Sequence, residues 1–240
     1  MASVYSDIWH GDSAELVKKF KPGSITSVVT DPPFGVDNLS RSSVTDAGKK
    51  YARKIANDKS PQIAIDMFEN VVTDLMPAMK DESDFYIFTS PQVIDEWLAS
   101  TKRLFEKFKF RRKGILIWQK DGPGMGDLTS WGVGYEFILY YKRGRWEPHH
   151  PRVGSVLRFD RVPSSRIIHP HEKPVPLLEM LIKHSTVPGD WLVDPFAGSG
   201  SLMRASRGLD RNSIGIEYDE RNYREAKRKL DGIGGGFDFD

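Results

Sequence analysis

The sequence contains no cysteine among its 240 residues, which excludes disulfides, thiolate metal sites and a cysteine nucleophile. No run approaches the roughly 18 apolar residues that a membrane span needs, and the first residues lack the basic and apolar regions of a signal peptide. We therefore expect a soluble protein of the cell interior.

The sequence also lacks a large excess of either charge, since it has 35 basic and 33 acidic residues and a net charge of only +2. The distribution is more informative, because two segments without hydrophobic periodicity, 36–60 and 142–166, are basic. Arginines interleaved with aromatic residues are typical of surfaces that contact phosphates and bases. The candidate nucleic-acid contacts are Lys49, Lys50, Arg53, Arg143, Arg145, Arg152 and Arg158. His149 and His150 lack spaced partner ligands, so no metal site is predicted.

Apolar strands alternate with amphipathic helices along the chain, which predicts an α/β fold in one domain over 1–231, followed by a flexible tail over 232–240. The glycine-rich connection between the fourth and fifth predicted strands indicates an antiparallel pair at one edge of the sheet. Seven strands are predicted, near Val4, Ile25, Asp84, Ile115, Tyr135, Trp191 and Ser213.

One predicted strand, over residues 25–30, ends abruptly in Asp31-Pro32-Pro33-Phe34. Proline cannot donate to a sheet ladder, so the strand must stop there. It delivers a carboxylate, a stiff turn and an aromatic ring to its carboxyl end, the edge at which open α/β sheets bind ligands. Taken alone, an Asp-Pro turn is more often structural than functional.

A second strand ends at Asp194 and continues into Pro195-Phe196-Ala197-Gly198-Ser199-Gly200-Ser201 and a helix. The next strand ends at Glu217, and such an arrangement is typical of a nucleotide-binding half, with glycines for close backbone approach and an acid for ribose hydroxyls. A dinucleotide-binding oxidoreductase is the first alternative. The turn lacks the G-x-G-x-x-G spacing, however, and no G-K-[ST] indicates a P-loop.

Together these turns resemble the catalytic D-P-P-[YFW] and cofactor D-P-F-x-G-S-G motifs of the amino-methylating DNA methyltransferases that use S-adenosylmethionine. His169-Pro170-His171-Glu172-Lys173-Pro174 resembles the H-P-x-x-K-P element of the permuted β group, in which the catalytic motif precedes the cofactor motif. The resemblance implies a Rossmann-like, seven-stranded, mostly parallel sheet with one antiparallel strand and helices on both faces. It also implies S-adenosylmethionine as cofactor, double-stranded DNA as partner, and base flipping.

The resemblance also assigns roles to residues. Asp31 and the Pro32 carbonyl would accept hydrogen bonds from the target amine, with Pro33 in the same turn and Phe34 stacked on the flipped base. Glu217 would bind the cofactor ribose, and Asp12 and Phe196 would lie by its adenine. The methionine end would be held by Lys173 and the loop residues Asp194, Pro195, Phe196, Gly198, Ser199, Gly200 and Ser201.

The residue before Pro-Pro favours adenine N6 as the target, because the cytosine-N4 enzymes more often have S-P-P-Y. Cytosine N4 remains the near alternative, and a non-catalytic nucleic-acid-binding relative is a second. RNA and protein methyltransferases more often have Asn at the position of Asp31. The resemblance implies a restriction-modification setting in the cytoplasm of a bacterium, or of the host of a phage, and leaves a homodimer open.

Overall fold

The computed structural model describes residues 4–36, 60–122, 129, 131–145, 147–163 and 172–232. Within these ranges the chain forms eight strands: β1 Ser6–His10, β2 Ile25–Thr30, β3 Met79–Thr89, β4 Arg111–Gln119, β5 Tyr135–Arg143, β6 Val156–Arg158, β7 Trp191–Asp194 and β8 Asn212–Glu217. The α-helices of the same ranges are α1 Ser13–Leu16, α2 Pro61–Leu75, α3 Ile94–Lys107, α4 Val175–Ser185, α5 Ser201–Gly208 and α6 Glu220–Gly232. None of these helices has the length and apolar character that crossing a membrane demands.

The strands form one sheet in the order β1-β8-β7-β2-β3-β5-β4-β6. Among the described strands β5 alone runs against its neighbours, β3 and β4, while every other pair is parallel. The predicted α/β class and the single antiparallel strand are confirmed.

The predicted count of seven strands is wrong, because β6 adds an eighth inside the segment 142–166 that was expected to be irregular. Its three residues pair with Ile117–Gln119 of β4 and are too short for a hydrophobic period to show in the sequence. The antiparallel pair consequently lies one strand inside the sheet, and β6 forms the edge.

Helices cover both faces of the sheet, as predicted. On one face, α2 and α3 bury a cluster that includes Phe68, Leu75, Trp97 and Phe105. On the other face, α4, α5 and α6 bury a second cluster that includes Leu178, Met203 and Leu230. The two apolar layers hold the carboxyl ends of the parallel strands at one common edge.

The beginning of α2 shows how local sequence sets an element. The Ser60 hydroxyl accepts a hydrogen bond from the Ile63 N–H, and Pro61 occupies the first turn, where its missing N–H costs nothing. The helix ends at Leu75, because Met76-Pro77-Ala78 forms a 3₁₀ turn that leads directly into β3.

Strands β2 and β7 are parallel neighbours, with Ser27 opposite Leu192 and Val28 opposite Val193. They lie 164 residues apart in the chain at the hydrogen bond from Thr30 to Asp194. The two turns singled out in the sequence therefore meet at the point where the strand order changes direction, which is where open α/β sheets bind ligands.

Candidate active site

The turn after β2 is fixed by backbone geometry. Gly35 has φ +81°, and a Cβ atom there would overlap the carbonyl of Ser60, so any side chain would push the turn away from α2. The carbonyl oxygen of Phe34 accepts a hydrogen bond from the indole N–H of Trp97, at 3.4 Å. These contacts set the direction in which Asp31 and Phe34 leave the strand.

The Asp31 carboxylate belongs to a buried group of alternating charges. Its Oδ2 accepts a hydrogen bond from Lys173 Nζ at 2.5 Å, and the same Nζ lies 3.1 Å from Oε2 of Glu136. Oε1 of Glu136 forms an ion pair with Lys120. The side chains of Lys173, Glu136 and Asp31 are only 7%, 12% and 19% exposed, so water screens these interactions little.

Only one oxygen of Asp31 is engaged by this group. Oδ1 is buried and has no hydrogen-bond partner among the described residues. Burial raises the pKa of Asp31, and the adjacent Lys173 ammonium opposes that rise. The carboxylate thus combines an anchored oxygen with an unused acceptor.

The charges of the other members are set by their neighbours. Burial alone would raise the pKa of Glu136, but the ammonium groups of Lys173 and Lys120 outweigh it and hold that pKa below its usual range. Burial would lower the pKa of Lys173, yet Asp31 and Glu136 hold it above its usual value. Lys173 and Glu136 are therefore both ionised at neutral pH.

Lys173 reaches this position from the segment that precedes α4. Its neighbour Glu172 accepts a hydrogen bond from Arg204 at 2.6 Å and another from Lys229 at 3.3 Å, which ties the segment to α5 and α6. The Lys173 ammonium lies 5.0 Å from the centre of the Phe88 ring, and the rings of Trp118 and Phe34 are also near. Apolar walls and fixed carboxylates together leave the ammonium little freedom.

The turn after β7 is held by hydrogen bonds from neutral donors and not by an ammonium group. Oδ1 of Asp194 accepts hydrogen bonds from the Thr30 hydroxyl at 2.7 Å and from the Phe196 N–H at 3.0 Å. Burial raises the pKa of Asp194 to about 7, and these two donors oppose the rise. Gly198 and Gly200 both have positive φ, so the loop folds back closely on the strand ends.

The next strand end contributes Glu217 to the same loop. Its carboxylate accepts hydrogen bonds from the Gly198 N–H and the Asp219 N–H, both at 2.8 Å. Asp12 caps α1 by accepting from the Ala14 N–H at 2.9 Å, and the adjacent Ser13 hydroxyl donates to the Pro195 carbonyl at 2.5 Å. The structure brings these expected cofactor residues together at one edge of the sheet.

A pocket joins the two turns. Its lining comes from β2, the Asp194 loop, Lys173 and the helices beside them, namely Val29, Thr30, Asp31, Phe88, Lys173, Leu178, Asp194, Phe196, Ala197, Gly198, Ser199, Ser201 and Leu202. Asp31 of the expected catalytic residues thus lines one cavity with most of the residues expected to hold the methionine end of the cofactor, whereas Pro32, Pro33, Phe34, Pro195 and Gly200 are not part of its lining.

The predicted nucleic-acid contacts that the structure describes lie at two opposite edges of the sheet. Arg158 ends β6 at the same edge as the pocket and is exposed, and Arg152 is exposed in the preceding loop. Arg143 lies at the opposite edge, opposite Ser83, where its guanidinium donates to the Met79 and Lys80 carbonyls, and Arg145 follows it. Lys49, Lys50 and Arg53 lie outside the described residues.

Sequence reasoning missed Glu136 and Lys120. Because β5 is antiparallel, its first residues lie at the edge where the parallel strands end, and Glu136 pairs in register with Trp118 of β4. A single acid inside the otherwise apolar run Tyr135–Tyr141 is the signal that could have indicated a buried partner.

The model of the N6/N4 methyltransferase family, described as DNA methylase, matches residues 25–228. The chain belongs to this family. A type II methyltransferase of Haemophilus parainfluenzae, M.HpaI, is 41% identical over 95% of this chain and 74% of its own length. The DNA adenine methyltransferase YhdJ of Escherichia coli K12 is 26% identical over 93% of this chain and 82% of its own.

Among solved structures, the M1.HpyAVI–SAM complex superposes with a TM-score of 0.67 at 23% identity, covering 93% of this chain and 99% of that one. At that identity the likeness shows the shared fold. Family membership and fold agree with the pocket, which this DNA methylase forms from the D-P-P-F and D-P-F-A-G-S-G turns.

Proposed function

We propose that the protein transfers the methyl group of S-adenosylmethionine to the exocyclic N6 amine of adenine at a specific sequence in double-stranded DNA. The observation that supports this most strongly is the Asp31 carboxylate, which lines the pocket with one oxygen anchored by Lys173 and the other without a described partner. An exocyclic amine is the kind of donor that such an acceptor can bind and orient.

The chemistry explains why an acceptor is needed. The lone pair of an exocyclic amine is delocalised into the base and is a poor nucleophile. Asp31 Oδ1 accepts one amine hydrogen bond and the Pro32 carbonyl accepts the other, which favours a more tetrahedral nitrogen with its lone pair toward the methyl donor. This is catalysis by positioning and by electrostatic stabilisation of the developing positive charge.

Phe34 provides the surface on which the base stacks. Its ring is half-buried, and its centre lies 5.9 Å from the ammonium of Lys173, a residue that lines the pocket with Asp31. A base within a duplex cannot reach a carboxylate recessed in a pocket, so the target nucleotide must be flipped out of the helix.

The residues present suit S-adenosylmethionine. The pocket wall formed by the Asp194 loop adjoins Asp31, and the positive φ of Gly198 and Gly200 lets backbone approach a ligand closely. The carboxylate of Glu217 lies beside the loop and would bind the ribose hydroxyls, and Phe196 and Asp12, whose neighbours Pro195 and Ser13 are hydrogen-bonded to each other, would lie by the adenine. When bound, the cofactor supplies an electrophilic sulfonium methyl group.

DNA approaches the edge of the sheet that holds the pocket. Arg158 and Arg152 are the predicted contacts on that side, and their exposed guanidinium groups can neutralise phosphates. Arg143 and Arg145 lie at the opposite edge, about 26 Å along β5, so the proposed DNA complex does not rely on phosphate contacts from them.

The test is to treat unmethylated genomic DNA with the protein and S-adenosylmethionine, and to identify the modified nucleoside by mass spectrometry. We expect N6-methyladenine. Detection of N4-methylcytosine instead would overturn the choice of base and keep the enzyme class. Asp31→Ala is the control, expected to bind cofactor and transfer no methyl group, and undiminished activity in this variant would refute the site.

A further inference from the structure

Four ionisable side chains of alternating sign lie in a row beside the pocket, in the order Asp31, Lys173, Glu136 and Lys120. With all four ionised, their charges sum to zero. Asp31 belongs to the motif that defines the catalytic turn, whereas Glu136 and Lys120 come from the antiparallel part of the sheet and touch Asp31 only through Lys173.

Glu136 is well suited to fix Lys173. A lysine side chain is flexible and its ammonium can rotate about a single acceptor. Here a second anion, the Glu136 carboxylate, forms an ion pair with the same ammonium, with Oε2 at 3.1 Å from Nζ, and it lies on a strand that pairs with β3 on one side and β4 on the other. Lys120 binds the other oxygen of the same carboxylate, which prevents Glu136 from turning away.

We propose that Glu136 is a positioning residue for methyl transfer, which holds the Lys173 ammonium on Oδ2 of Asp31 and thereby leaves Oδ1 for the amine of the target base. This inference rests on the proposed methyltransferase function. Glu136 does not touch the reacting atoms, so its effect is transmitted through Lys173.

The charge of Glu136 contributes as well as its position. The acceptor nitrogen becomes positively charged as the methyl group arrives, and two uncompensated ammonium groups nearby would oppose that change. Glu136 cancels one of them. Replacing it with glutamine leaves a net positive charge beside the nitrogen, and we expect the transfer rate to fall roughly 10- to 100-fold through charge and misplacement together.

The two outer residues act on Asp31 in opposite directions. Glu136 raises the pKa of Asp31 by like-charge repulsion, whereas Lys120 lowers it. Lys173 faces Asp31 directly and also lowers its pKa, and Asp194 faces it from the neighbouring strand. Because Asp31 must be ionised to accept from the amine, Glu136→Gln should move the acid limb of the rate profile to lower pH, and Lys120→Gln should move it to higher pH.

The experiment is single-turnover methylation of one DNA duplex at saturating S-adenosylmethionine, from mildly acidic to alkaline pH, with wild type, Glu136→Gln, Lys120→Gln and Glu136→Asp. Opposite displacements of the acid limb by the two glutamine variants support the proposal. Glu136→Asp restores the charge and should return the limb toward its wild-type position. A purely structural role for Glu136 would lower the rate without moving the limb.

Thermal melts of each variant accompany the rates, and if Glu136→Gln does not fold, the rate of Glu136→Asp decides the matter, because the shorter side chain keeps the charge but withdraws it from Lys173 and should lower the rate. If the wild type methylates DNA but the acid limbs of all variants coincide, the positioning role is overturned and the proposed function stands. If the wild type transfers no methyl group to any DNA, the proposed function fails and this inference fails with it.

Discussion

Two neighbouring turns of this protein have nearly the same composition and very different electrostatics. One is Asp31-Pro32-Pro33-Phe34-Gly35 after β2, and the other is Asp194-Pro195-Phe196-Ala197-Gly198 after β7. In both, an aspartate stands at the carboxyl end of a parallel strand and a proline follows it, with Asp194 as the last residue of β7 and Asp31 directly after β2. The Asp31 carboxylate is bound by an ammonium group, whereas that of Asp194 accepts from a hydroxyl and a backbone N–H.

Under the proposed function, the difference separates a carboxylate that receives the target amine from one that holds the cofactor loop. A cation favours the ionised form of Asp31 and occupies only one of its oxygens, so an acceptor remains for a ligand. Neutral donors stabilise the Asp194 carboxylate less, and its hydrogen bonds point back into the turn itself and to Thr30. Sequence alone makes the turns look equivalent, and the partner of each carboxylate assigns its task.

The largest effect on methyl transfer should come from replacing the aspartate of each turn with asparagine, which removes the charge and keeps the shape. Asp31→Asn should lower the single-turnover rate of methyl transfer by about 10³-fold or more, because the asparagine offers no ionised acceptor to the developing charge. Asp194→Asn should change that rate much less and weaken cofactor binding instead. Single-turnover kinetics measures the rate and calorimetry measures the cofactor affinity. Equal losses of rate in the two variants would refute the functional difference between the two turns.

The pH dependence of stability should distinguish Asp194 next. Its pKa is raised to about 7 in the folded protein, against about 4 in an unfolded chain, so the folded state binds the proton more tightly. This contribution is fully present below about pH 4 and is lost as the pH rises to about 7, with a total on the order of 4 kcal/mol.

In Asp194→Asn that contribution is absent, so the variant should gain stability relative to wild type as the pH rises and level off above about pH 7. Urea unfolding at a series of pH values measures it. Curves for variant and wild type that stay parallel throughout would show that Asp194 titrates normally. Burial raises the pKa of Asp84 to about 7 as well, and Asp84 lies away from both turns. Asp84→Asn is therefore a matched control for the effect of a buried carboxyl group on the pH dependence of stability.

Replacing the glycines of the two turns with alanine should have a smaller effect, and the two replacements should lower the free energy of unfolding by different amounts. Gly35→Ala combines φ +81° with overlap of the Ser60 carbonyl and should cost about 3 kcal/mol of unfolding free energy. Gly198→Ala carries the penalty of a left-handed backbone at φ +49°, about 1 kcal/mol. Equal losses of unfolding free energy, measured by urea unfolding, would show that Gly35 is not in close contact with the start of α2.

The sequence predicted the parts of this architecture that have strong local signals. Long apolar strands, amphipathic helices and the Asp-Pro turns were all recognisable, because hydrophobic period and proline act on neighbouring residues. The meeting of Asp31 and Asp194 followed from the rule for parallel sheets, and Thr30 now links them directly.

The remainder depended on contacts between distant segments. Lys173 and Glu136 approach Asp31 only because β5 runs antiparallel between β3 and β4, which no local pattern specifies. The role of Arg143 in binding backbone carbonyls of β3 was equally invisible, since a basic residue in a basic segment is typical of a surface. The strand β6 was too short to detect.

The pairing of the first strand with the last has a consequence for how such a protein can be encoded. Strand β1 lies beside β8, and α6 contacts β1 through the ion pair of Lys227 with Asp7, so the first strand and the last helix are neighbours in space. Linking α6 to β1 and opening the chain between β5 and β6 would give a gene that encodes the Asp194 turn before the Asp31 turn, with every strand in its present place.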